Sequence, residues 1–373
     1  MYHDSDGRPF LIEVASSRRN NLQLKPKNSP WKRKRRVVGI VGLHSEGQKG
    51  TMKHRIPFLC CAPLMLALLV NFFALSALSK QPNVLFIVCD DLNTHVSTSH
   101  YPHIKTPAFD TLAAAGMRFD RAYCQYPVCG PSRASLLSGL YPQSTGVLDN
   151  KTDIRVTRPG TTLLPQAFKE AGYWTGSVGK IFHNEQLDAG ETAWDTFLRF
   201  ENDPLPADRG GPGTTQTRGE NKPGYGPSGL RDDQHKDGKN VRKIVSWLEK
   251  GVAGDKPFFM ACGIQKPHVP FLAPDKYYDM YPKDGLVVRP EPSDFWDQTP
   301  KMAMVQRFKS FGFELGVEND LLRREYMQAY HACISFIDAQ IAVLFDALKR
   351  TGHWEDTIII LTSDHGYQLG EHF

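Results

Sequence analysis

The fold class can be inferred first from Asn83-Val84-Leu85-Phe86-Ile87-Val88-Cys89, which is directly followed by Asp90-Asp91. An almost unbroken apolar run of this length is typical of a strand that is buried on both faces of a parallel sheet. A second run of this kind, Thr357-Ile358-Ile359-Ile360-Leu361-Thr362, is followed by Ser363-Asp364-His365-Gly366. Both predicted strands therefore end in acidic residues, and in open α/β sheets ligands bind at the carboxyl ends of the strands.

Between these two runs, apolar segments alternate with amphipathic ones, and the sequence has no internal repeat. This alternation predicts an α/β layered fold in which a mostly parallel central sheet is flanked by helices. Helices are predicted over residues 106–115, 131–140, 161–171, 241–250 and 319–350, and further strands over residues 173–178 and 257–263. The Gly- and Pro-rich residues 203–238 predict a long surface excursion, and residues 270–300 predict a second irregular stretch.

Charge is distributed unevenly along the 373 residues, which are enough to bury a sizeable core. Residues 1–79 carry 13 Lys and Arg against 4 Asp and Glu, whereas residues 80–373 carry 32 against 36. The net charge of +5 therefore comes from the N-terminal part, and the rest of the chain is mildly acidic. An acidic body argues against a general nucleic-acid-binding surface.

Residues 52–79 have the features of a secretory signal peptide in the expected order. Met52-Lys53-His54-Arg55 is a positively charged start, residues 56–75 are apolar, and the small residues in Ala77-Leu78-Ser79 suit a cleavage site. Because a signal peptide lies at an N-terminus, we expect Met52 to be the true start and residues 1–51 to be a mis-called, disordered extension.

This signal predicts a secreted or periplasmic protein with no stable membrane association after cleavage. The alternative is an uncleaved membrane anchor, since the apolar run is long enough to cross a bilayer. The basic run at residues 32–36 belongs to the extension and needs no nucleic-acid partner to explain it.

The candidate chemistry lies in Pro127-Val128-Cys129-Gly130-Pro131-Ser132-Arg133, which leads into an apolar helical run closed by Gly139. Pro131 suits the first turn of a helix, and helix N-termini attract anions through their unpaired N–H groups and their dipole. The fork-shaped guanidinium of Arg133 can donate hydrogen bonds to the oxygens of an anion or orient a nucleophile beside it. The plain alternative is a small buried thiol before a helix. The number of matching positions favours a functional motif.

This Cys-x-Pro-Ser-Arg pattern resembles the signature of the sulfatase family. There a formylglycine-generating enzyme oxidises the cysteine, before folding, to an aldehyde whose hydrate attacks the sulfur of a sulfate ester. The resemblance implies that Cys129 becomes formylglycine and that the fold is alkaline-phosphatase-like. It also implies covalent catalysis in which Arg133 helps to hold the sulfate, with a sulfated sugar or polysaccharide as substrate.

The acidic strand ends predict a metal site. Asp90, Asp91 and Asp364 offer hard oxygen ligands for a divalent cation such as Ca²⁺, and His365 adds one nitrogen. Three carboxylates without a cation would repel one another. Taken alone, Asp90-Asp91 fits a solvated turn equally well. The resemblance implies that these four residues and the oxygen of modified Cys129 bind one Ca²⁺, with Mg²⁺ as the alternative.

Gly179-Lys180-Ile181-Phe182-His183 resembles a sulfatase Gly-Lys-x-x-His element in the spacing of the iduronate-2-sulfatase-like branch. The resemblance implies that Lys180 contacts the formylglycine and the sulfate. It also implies that His183 handles the proton of the second hydroxyl when sulfate leaves, a task that suits a group with a near-neutral pKa. Without the motif, both residues would be assigned to the surface.

Lys266-Pro267-His268-Val269-Pro270-Phe271 resembles an element of the same branch, whose histidine protonates the leaving alcohol. We therefore expect His268 to be the general acid and, with Lys266, to bind substrate. The flanking prolines limit backbone freedom and help to hold an acid at a fixed reach. The alternative is a rigid polar loop with an incidental histidine.

The resemblance covers residues 82–373 and implies that residues 80–373 form a sulfatase catalytic domain. The family continues beyond this point through another active-site lysine and a C-terminal subdomain, so we expect a C-terminally truncated domain. Two other functions stay open. One is a phosphatase or phosphonate hydrolase of the same fold with an unmodified nucleophile. The other is an inactive truncated fragment that only binds sulfated glycans.

Overall fold

The computed structural model describes residues 10–15, 81–183, 193–200, 224–290, 292–300 and 319–371. The predicted signal peptide and all of residues 1–51 except the first of these ranges lie outside the described residues, so the start site, the cleavage and the location stay predictions.

A seven-stranded sheet forms the centre of the fold. Its strands are β1 (Phe10–Ala15), β2 (Asn83–Asp90), β3 (Met117–Ala122), β4 (Trp174–Gly179), β5 (Thr196–Leu198), β7 (Phe258–Pro267) and β9 (Thr357–Ser363), in the spatial order β3-β1-β9-β2-β7-β4-β5. Two short strands, β6 (Tyr225–Pro227) and β8 (Phe271–Ala273), pair separately. The five strands from β9 to β5 are parallel, and β1 is antiparallel to both of its neighbours. The predicted α/β fold with a mostly parallel sheet is confirmed.

Helices flank this sheet. In chain order they are α1 (Pro107–Ala115), α2 (Cys129–Ser138), α3 (Pro142–Thr145), α4 (Ile154–Thr157), α5 (Leu164–Glu170), α6 (Lys236–Glu249), α7 (Asp275–Tyr278), α8 (Phe295–Gln298) and α9 (Asp320–Arg350), with 3₁₀ turns at Ser97–Ser99 and Lys283–Gly285. Most of the predicted helices are present with shifted ends. The surface excursion was predicted to continue to residue 238, but helix α6 already begins at Lys236. The first turn of this helix is polar, so the spacing of apolar residues did not indicate where the helix starts.

The stretch Asn83–Asp90 is buried along its whole length because β7 and β9 pair on either side of it. Leu85 and Ile87 face a core that contains α9 and α6, whereas Val84 and Phe86 face a second core that contains α2 and α5. An apolar side chain is thus required on both faces, which explains why the run does not alternate.

The 31-residue helix α9 crosses one face of the sheet. By length and apolar composition it could span a membrane, but 78% of its most apolar window is buried inside the protein, as in a core helix. The positions expected on its buried face are all buried: Tyr326, Tyr330, Ile334, Ile337, Ile341, Leu344 and Leu348.

The edge of the sheet next to β9 differs from the sequence-based prediction. Residues 1–51 were expected to be disordered, yet Phe10–Ala15 pairs with Thr357–Ser363 on one side and with Met117–Ala122 on the other. The expectation of disorder is therefore wrong for these six residues. Met117–Ala122 was also missed: the apolar–polar alternation of Met117-Arg118-Phe119-Asp120 is only four residues long, and the side chains of the strand are largely exposed.

Two glycines allow β4 and β7 to approach closely at their carboxyl ends. A Cβ on Gly263 would lie 2.3 Å from the backbone nitrogen and oxygen of Lys180, and a Cβ on Gly179 would lie 2.1 Å from the carbonyl oxygen of Gly263. Such distances are far below van der Waals contact, so the position of Lys180 depends on the absence of a side chain at Gly263.

We expect Gly263→Ala to destabilise the protein by about 1–3 kcal/mol, because the added methyl group meets backbone that cannot move independently. Gly285→Ala adds the same group where a Cβ would meet no heavy atom of the described residues within 4 Å, and we expect a change within about 0.5 kcal/mol. Urea unfolding of both variants measures this difference, and equal stabilities would show that the strands separate freely.

His95 and His331 form a buried pair behind the loop that follows β2, with 3.1 Å between Nδ1 of His95 and Nε2 of His331. The ring of Tyr101 stacks on His95 with 3.8 Å between centroids. Burial lowers the pKa of His331 to about 3, and burial together with the neighbouring His331 holds the pKa of His95 well below its usual value. Both imidazoles are therefore neutral in the folded protein.

This pair predicts acid sensitivity. His331 contributes its full stability above about pH 6.5, where an unfolded histidine is also neutral, and loses it as the pH falls towards 3, because the unfolded chain then binds a proton that the folded chain excludes. We expect the free energy of unfolding of the wild type to fall more steeply than that of His331→Gln below about pH 6, by up to about 1.4 kcal/mol per pH unit. Denaturation at several pH values tests this, and parallel curves would contradict it.

Candidate active site

The carboxyl ends of β2 and β9 lie side by side, since Cys89 pairs with Ser363. This register brings together the acidic residues that follow each strand. Carboxylate oxygens of Asp90, Asp91 and Asp364 all lie within 4.8 Å of one another, and the three side chains are buried. The structure thus places these predicted ligands from opposite ends of the domain in one cluster.

The backbone fixes the cluster. The amide N–H groups of Asp91 and His365 donate to Oδ1 of Asp364 at 3.0 and 2.9 Å. Asp91 has a φ of 66°, in the left-handed region that residues other than glycine seldom occupy. The hydroxyl of Ser132 donates to the carbonyl oxygen of Asp364, which joins the helix α2 to the same turn.

Arg133 lies beneath the cluster and is completely buried. Its Nε donates to Oδ2 of Asp364 at 2.8 Å and its Nη2 to Oδ1 of Asp90 at 3.2 Å. Its Nη1 donates to the carbonyl oxygens of Lys180 and Ile181 at 2.6 and 2.9 Å. In the structure this side chain is thus enclosed by two carboxylates and two backbone carbonyl oxygens, and its contact with sulfate stays a prediction.

Two positive charges face three carboxylates in this site. Nζ of Lys180 lies 2.5 Å from Oδ2 of Asp90. Burial alone would raise the pKa of Asp90, but Arg133 and Lys180 hold that pKa well below its usual value. Burial, together with the charges of Asp90 and Asp364, raises the pKa of Asp91. At Asp91, burial and the acidic neighbours therefore outweigh the opposing charges of Lys180 and Arg133.

The residues fit a divalent cation. Oδ1 of Asp91 is buried and has no hydrogen-bond partner among the described residues, and the Nε2 atom of His365 lies 3.3 Å from it. A buried, unpaired carboxylate oxygen is costly unless a donor or a cation completes it. Hard oxygens from Asp90, Asp91 and Asp364 are the ligands that Ca²⁺ and Mg²⁺ prefer.

Cys129 is the first residue of α2 and lies beside this cluster. Its Sγ is 3.1 Å from Nε2 of His365, and ligand atoms of Asp91 and His365 lie within 4.8 Å of it and of each other. Burial, followed by the nearby charges of Asp90 and Asp364, raises the pKa of the thiol. The unmodified side chain is therefore protonated at neutral pH and is a weak nucleophile.

His268 reaches the cluster from the loop after β7. Its Nδ1 lies 2.7 Å from the carbonyl oxygen of Val269, where the ring N–H donates, so Nε2 faces the site at 3.9 Å from Oδ2 of Asp91. Lys266, predicted to bind substrate, is buried, and its Nζ donates to the carbonyl oxygen of Pro270 at 2.6 Å. The structure directs this ammonium group to its own loop.

His183 lies three residues after Lys180, beyond the carboxyl end of β4, and is half-buried. Its Nδ1 is buried without a hydrogen-bond partner among the described residues. Burial and the neighbouring charge of Lys180 lower the pKa of His183 to about 4. The ring is therefore neutral at physiological pH and has a nitrogen available to accept a proton.

Several residues that support the site were not identified from the sequence. Asn150 accepts from the amide of Gly130 through Oδ1 at 2.8 Å, and Asp237 accepts from the amide of Lys266 at 2.8 Å. Tyr330 was predicted only as part of an apolar helix face, yet its hydroxyl contacts the turn at Asp91. No local motif marks these residues, because their partners are remote in sequence.

Comparison with known proteins identifies one family. The sulfatase family model matches residues 82–373. A sulfatase from Formosa agariphila is 34% identical over 307 residues, covering 78% of this chain and 60% of the relative. Human iduronate 2-sulfatase is 31% identical over 315 residues, covering 78% of this chain and 56% of the relative. The chain thus spans about three fifths of the length of these relatives.

A solved structure described as BT4656 in complex with its substrate D-glucosamine-2-N,6-O-disulfate is similar in fold, with a TM-score of 0.55 and 21% identity. The match covers 79% of this chain and 67% of that one. The central sheet and its helices therefore have the alkaline-phosphatase-like layered arrangement. From the family match and these identities, the chain belongs to the sulfatase family.

Proposed function

We propose that this domain hydrolyses sulfate esters of a sulfated sugar or polysaccharide, with formylglycine at position 129 and Ca²⁺ or Mg²⁺ as the cation. One observation carries the proposal: the side chain of Cys129 lies against a buried carboxylate cluster that contains an unpaired oxygen of Asp91. An unmodified thiol gains nothing from such a neighbourhood, because the carboxylates oppose its ionisation. An uncharged hydroxyl nucleophile beside a cation does not have this conflict.

The charges of the site suit a sulfate group. Asp90, Asp91 and Asp364 outnumber Arg133 and Lys180 by one negative charge, so a divalent cation would leave a net positive charge. Bound there, the cation polarises the sulfate oxygens and stabilises the charge that develops as the ester bond breaks. Lys180 adds a second positive charge, and its side chain keeps 13% of its exposure whereas the side chain of its partner Asp90 is fully buried.

His268 is our candidate for the general acid that protonates the departing sugar oxygen. Burial lowers the pKa of His268, with the charge of Asp90 opposing this effect, so the acid is the protonated ring, in which Nδ1–H donates to Val269 and Nε2 carries the second proton. Nε2 would give that proton to the sugar oxygen and become the neutral lone-pair nitrogen. Lys266 supports this role by holding the carbonyl oxygen of Pro270, and the carboxylate of Asp237 fixes the backbone of Lys266. We therefore assign Lys266 to positioning His268 rather than to binding the sugar directly.

His183 is our candidate for the base of the second step. As a neutral ring with an unpaired Nδ1, it would take the proton from the remaining hydroxyl at position 129 and so release sulfate. Arg133 binds the backbone carbonyl oxygen of Lys180 and so fixes the backbone at this residue. His183 lies three residues further along the chain, so this contact also restricts its position relative to Lys180.

The substrate class that we propose rests on similarity to a relative, and the cellular location that we propose rests on the sequence of residues 52–79. The likeness to iduronate 2-sulfatase supports a uronate-containing glycan. Residues 52–79 support export to the periplasm or the outside of the cell, after modification of Cys129 by a formylglycine-generating enzyme. A sulfated glycan and this enzyme are the partners that the proposal requires.

The first prediction concerns residue 129. From a host that contains the modifying enzyme, we expect the peptide with Cys129 to have the mass of an aldehyde in place of the thiol, and the protein to release sulfate from a nitrophenyl sulfate. Cys129→Ala should abolish turnover while leaving the thermal transition close to that of the wild type, because α2 tolerates alanine at its first position.

Ser135→Ala, on the same helix, is the matched control and should keep its activity. An unmodified thiol together with no sulfate release would contradict the proposal, as would turnover of phosphate or phosphonate esters in preference to sulfate esters. Either result would favour one of the two alternatives that the sequence leaves open.

The second prediction separates an acid from a binding residue. We expect His268→Gln to lose about 10²-fold or more in kcat with an alkyl or sugar sulfate, whose alcohol needs a proton, and less than about tenfold with a nitrophenyl sulfate, whose leaving group does not. His100→Asn removes an exposed histidine and should change neither rate. Steady-state kinetics with both substrates test this, and equal losses would exclude His268 as the acid.

A further inference from the structure

The turn that carries Asp91 adopts a conformation that its own sequence does not favour. Asp91 is not glycine, yet its φ is 66°. This backbone twist turns the carboxylate towards Asp364 and His365, where Oδ1 is buried. A left-handed residue persists only when surrounding contacts hold it, so the turn needs an external support.

Tyr330 of α9 supplies that support. Its hydroxyl donates to the carbonyl oxygen of Asp91 at 2.5 Å and accepts from the amide of Asn93 at 2.9 Å. The hydroxyl oxygen of Tyr330 thus joins the two ends of the turn. It provides a hydrogen-bond partner for the carbonyl of Asp91 and for the amide of Asn93, both of which lie beyond the end of strand β2.

The ring of Tyr330 cannot move away from this position. It is fully buried, lies edge-on to Phe271 with 5.6 Å between centroids, and stacks near Tyr367 at 6.4 Å. Packing on several sides fixes the hydroxyl relative to α9, the longest helix among the described residues.

Asn93 extends the same support to the other strand end. Its Nδ2 donates to the carbonyl oxygen of Tyr367 at 3.0 Å, and its Oδ1 accepts from the amide of His95 at 2.9 Å. Tyr367 follows Asp364 and His365 in the chain. The loop after β2 and the loop after β9 are therefore joined by a hydrogen bond.

We propose that Tyr330, with Asn93, is a positioning residue for the cation site: it holds Asp91 in the left-handed conformation that presents its unpaired oxygen to the cation. This inference rests on the proposed cation, and it adds a residue that touches neither substrate nor metal. Groups that orient metal ligands typically contribute 10–100-fold to metal affinity.

The test is the affinity of the full chain for Ca²⁺ and for Mg²⁺, measured by calorimetric titration after chelator treatment. We expect Tyr330→Phe, which removes one oxygen and keeps the ring, to weaken binding by about tenfold or more. Tyr278→Phe is the matched control: its hydroxyl also accepts from a backbone amide, of Gly226 at 2.9 Å, and donates to a backbone carbonyl, of Phe271 at 2.5 Å. We expect its affinity to stay within about twofold of the wild type.

Unfolding of both variants in chelator should show similar losses of stability, because each loses a buried hydrogen-bond pair of the same kind. Should Tyr330→Phe fail to fold, Asn93→Ala takes its place and should weaken binding in the same direction. A wild-type chain that takes up neither cation would overturn the proposed site and this inference together. Cation binding by the wild type with unchanged affinity in the variant would overturn only the role of Tyr330.

Discussion

A single buried guanidinium holds this structure's candidate active centre together. Arg133 contacts the carboxylates that follow β2 and β9 and the backbone that follows β4, and it stands in the helix that begins with Cys129. Removing one partner of such a buried pair typically costs about 3–5 kcal/mol, because the remaining charge is left uncompensated. The strand ends, the helix and the candidate nucleophile thus share one electrostatic anchor.

The positive charges of Arg133 and Lys180 do not balance the negative charges of all three carboxylates. Arg133 and Lys180 compensate Asp90 and one further carboxylate, while Asp91 retains an unpaired oxygen and a raised pKa. Excess negative charge inside a protein is unfavourable unless a cation or a proton completes it. The same feature is unfavourable for the isolated fold at this point, and it is one of the grounds on which we propose a divalent cation and an uncharged nucleophile.

Much of this could be predicted from the sequence, and the limits have physical causes. The apolar runs ending in Asp90 and Asp364 predicted a buried parallel sheet, because a strand covered on both faces has no room for polar side chains. The resemblance around Cys129 predicted Asp91 and His365 as its neighbours, and in the structure these three side chains lie together. The enclosure of Arg133 and the contact of Tyr330 with the turn at Asp91 were not predictable, since both depend on partners that lie in other elements and are remote in the sequence. The orientation of Lys266 was not predictable because it depends on how its own loop folds back to bring the carbonyl oxygen of Pro270 to the ammonium group. In a sequence, a tyrosine on the apolar face of a helix gives the same pattern whether or not its hydroxyl binds the backbone of a candidate metal ligand.

Diffraction from crystals grown with Mn²⁺ would show whether the carboxylate cluster binds a cation, because the anomalous signal locates the metal without any assumption about its ligands. We expect one strong peak at about 2.0–2.6 Å from carboxylate oxygens of Asp90, Asp91 and Asp364, next to the side chain at position 129. A cluster that remains without a peak while Arg133 and Lys180 keep their present contacts would contradict this expectation, as would a metal bound away from residue 129.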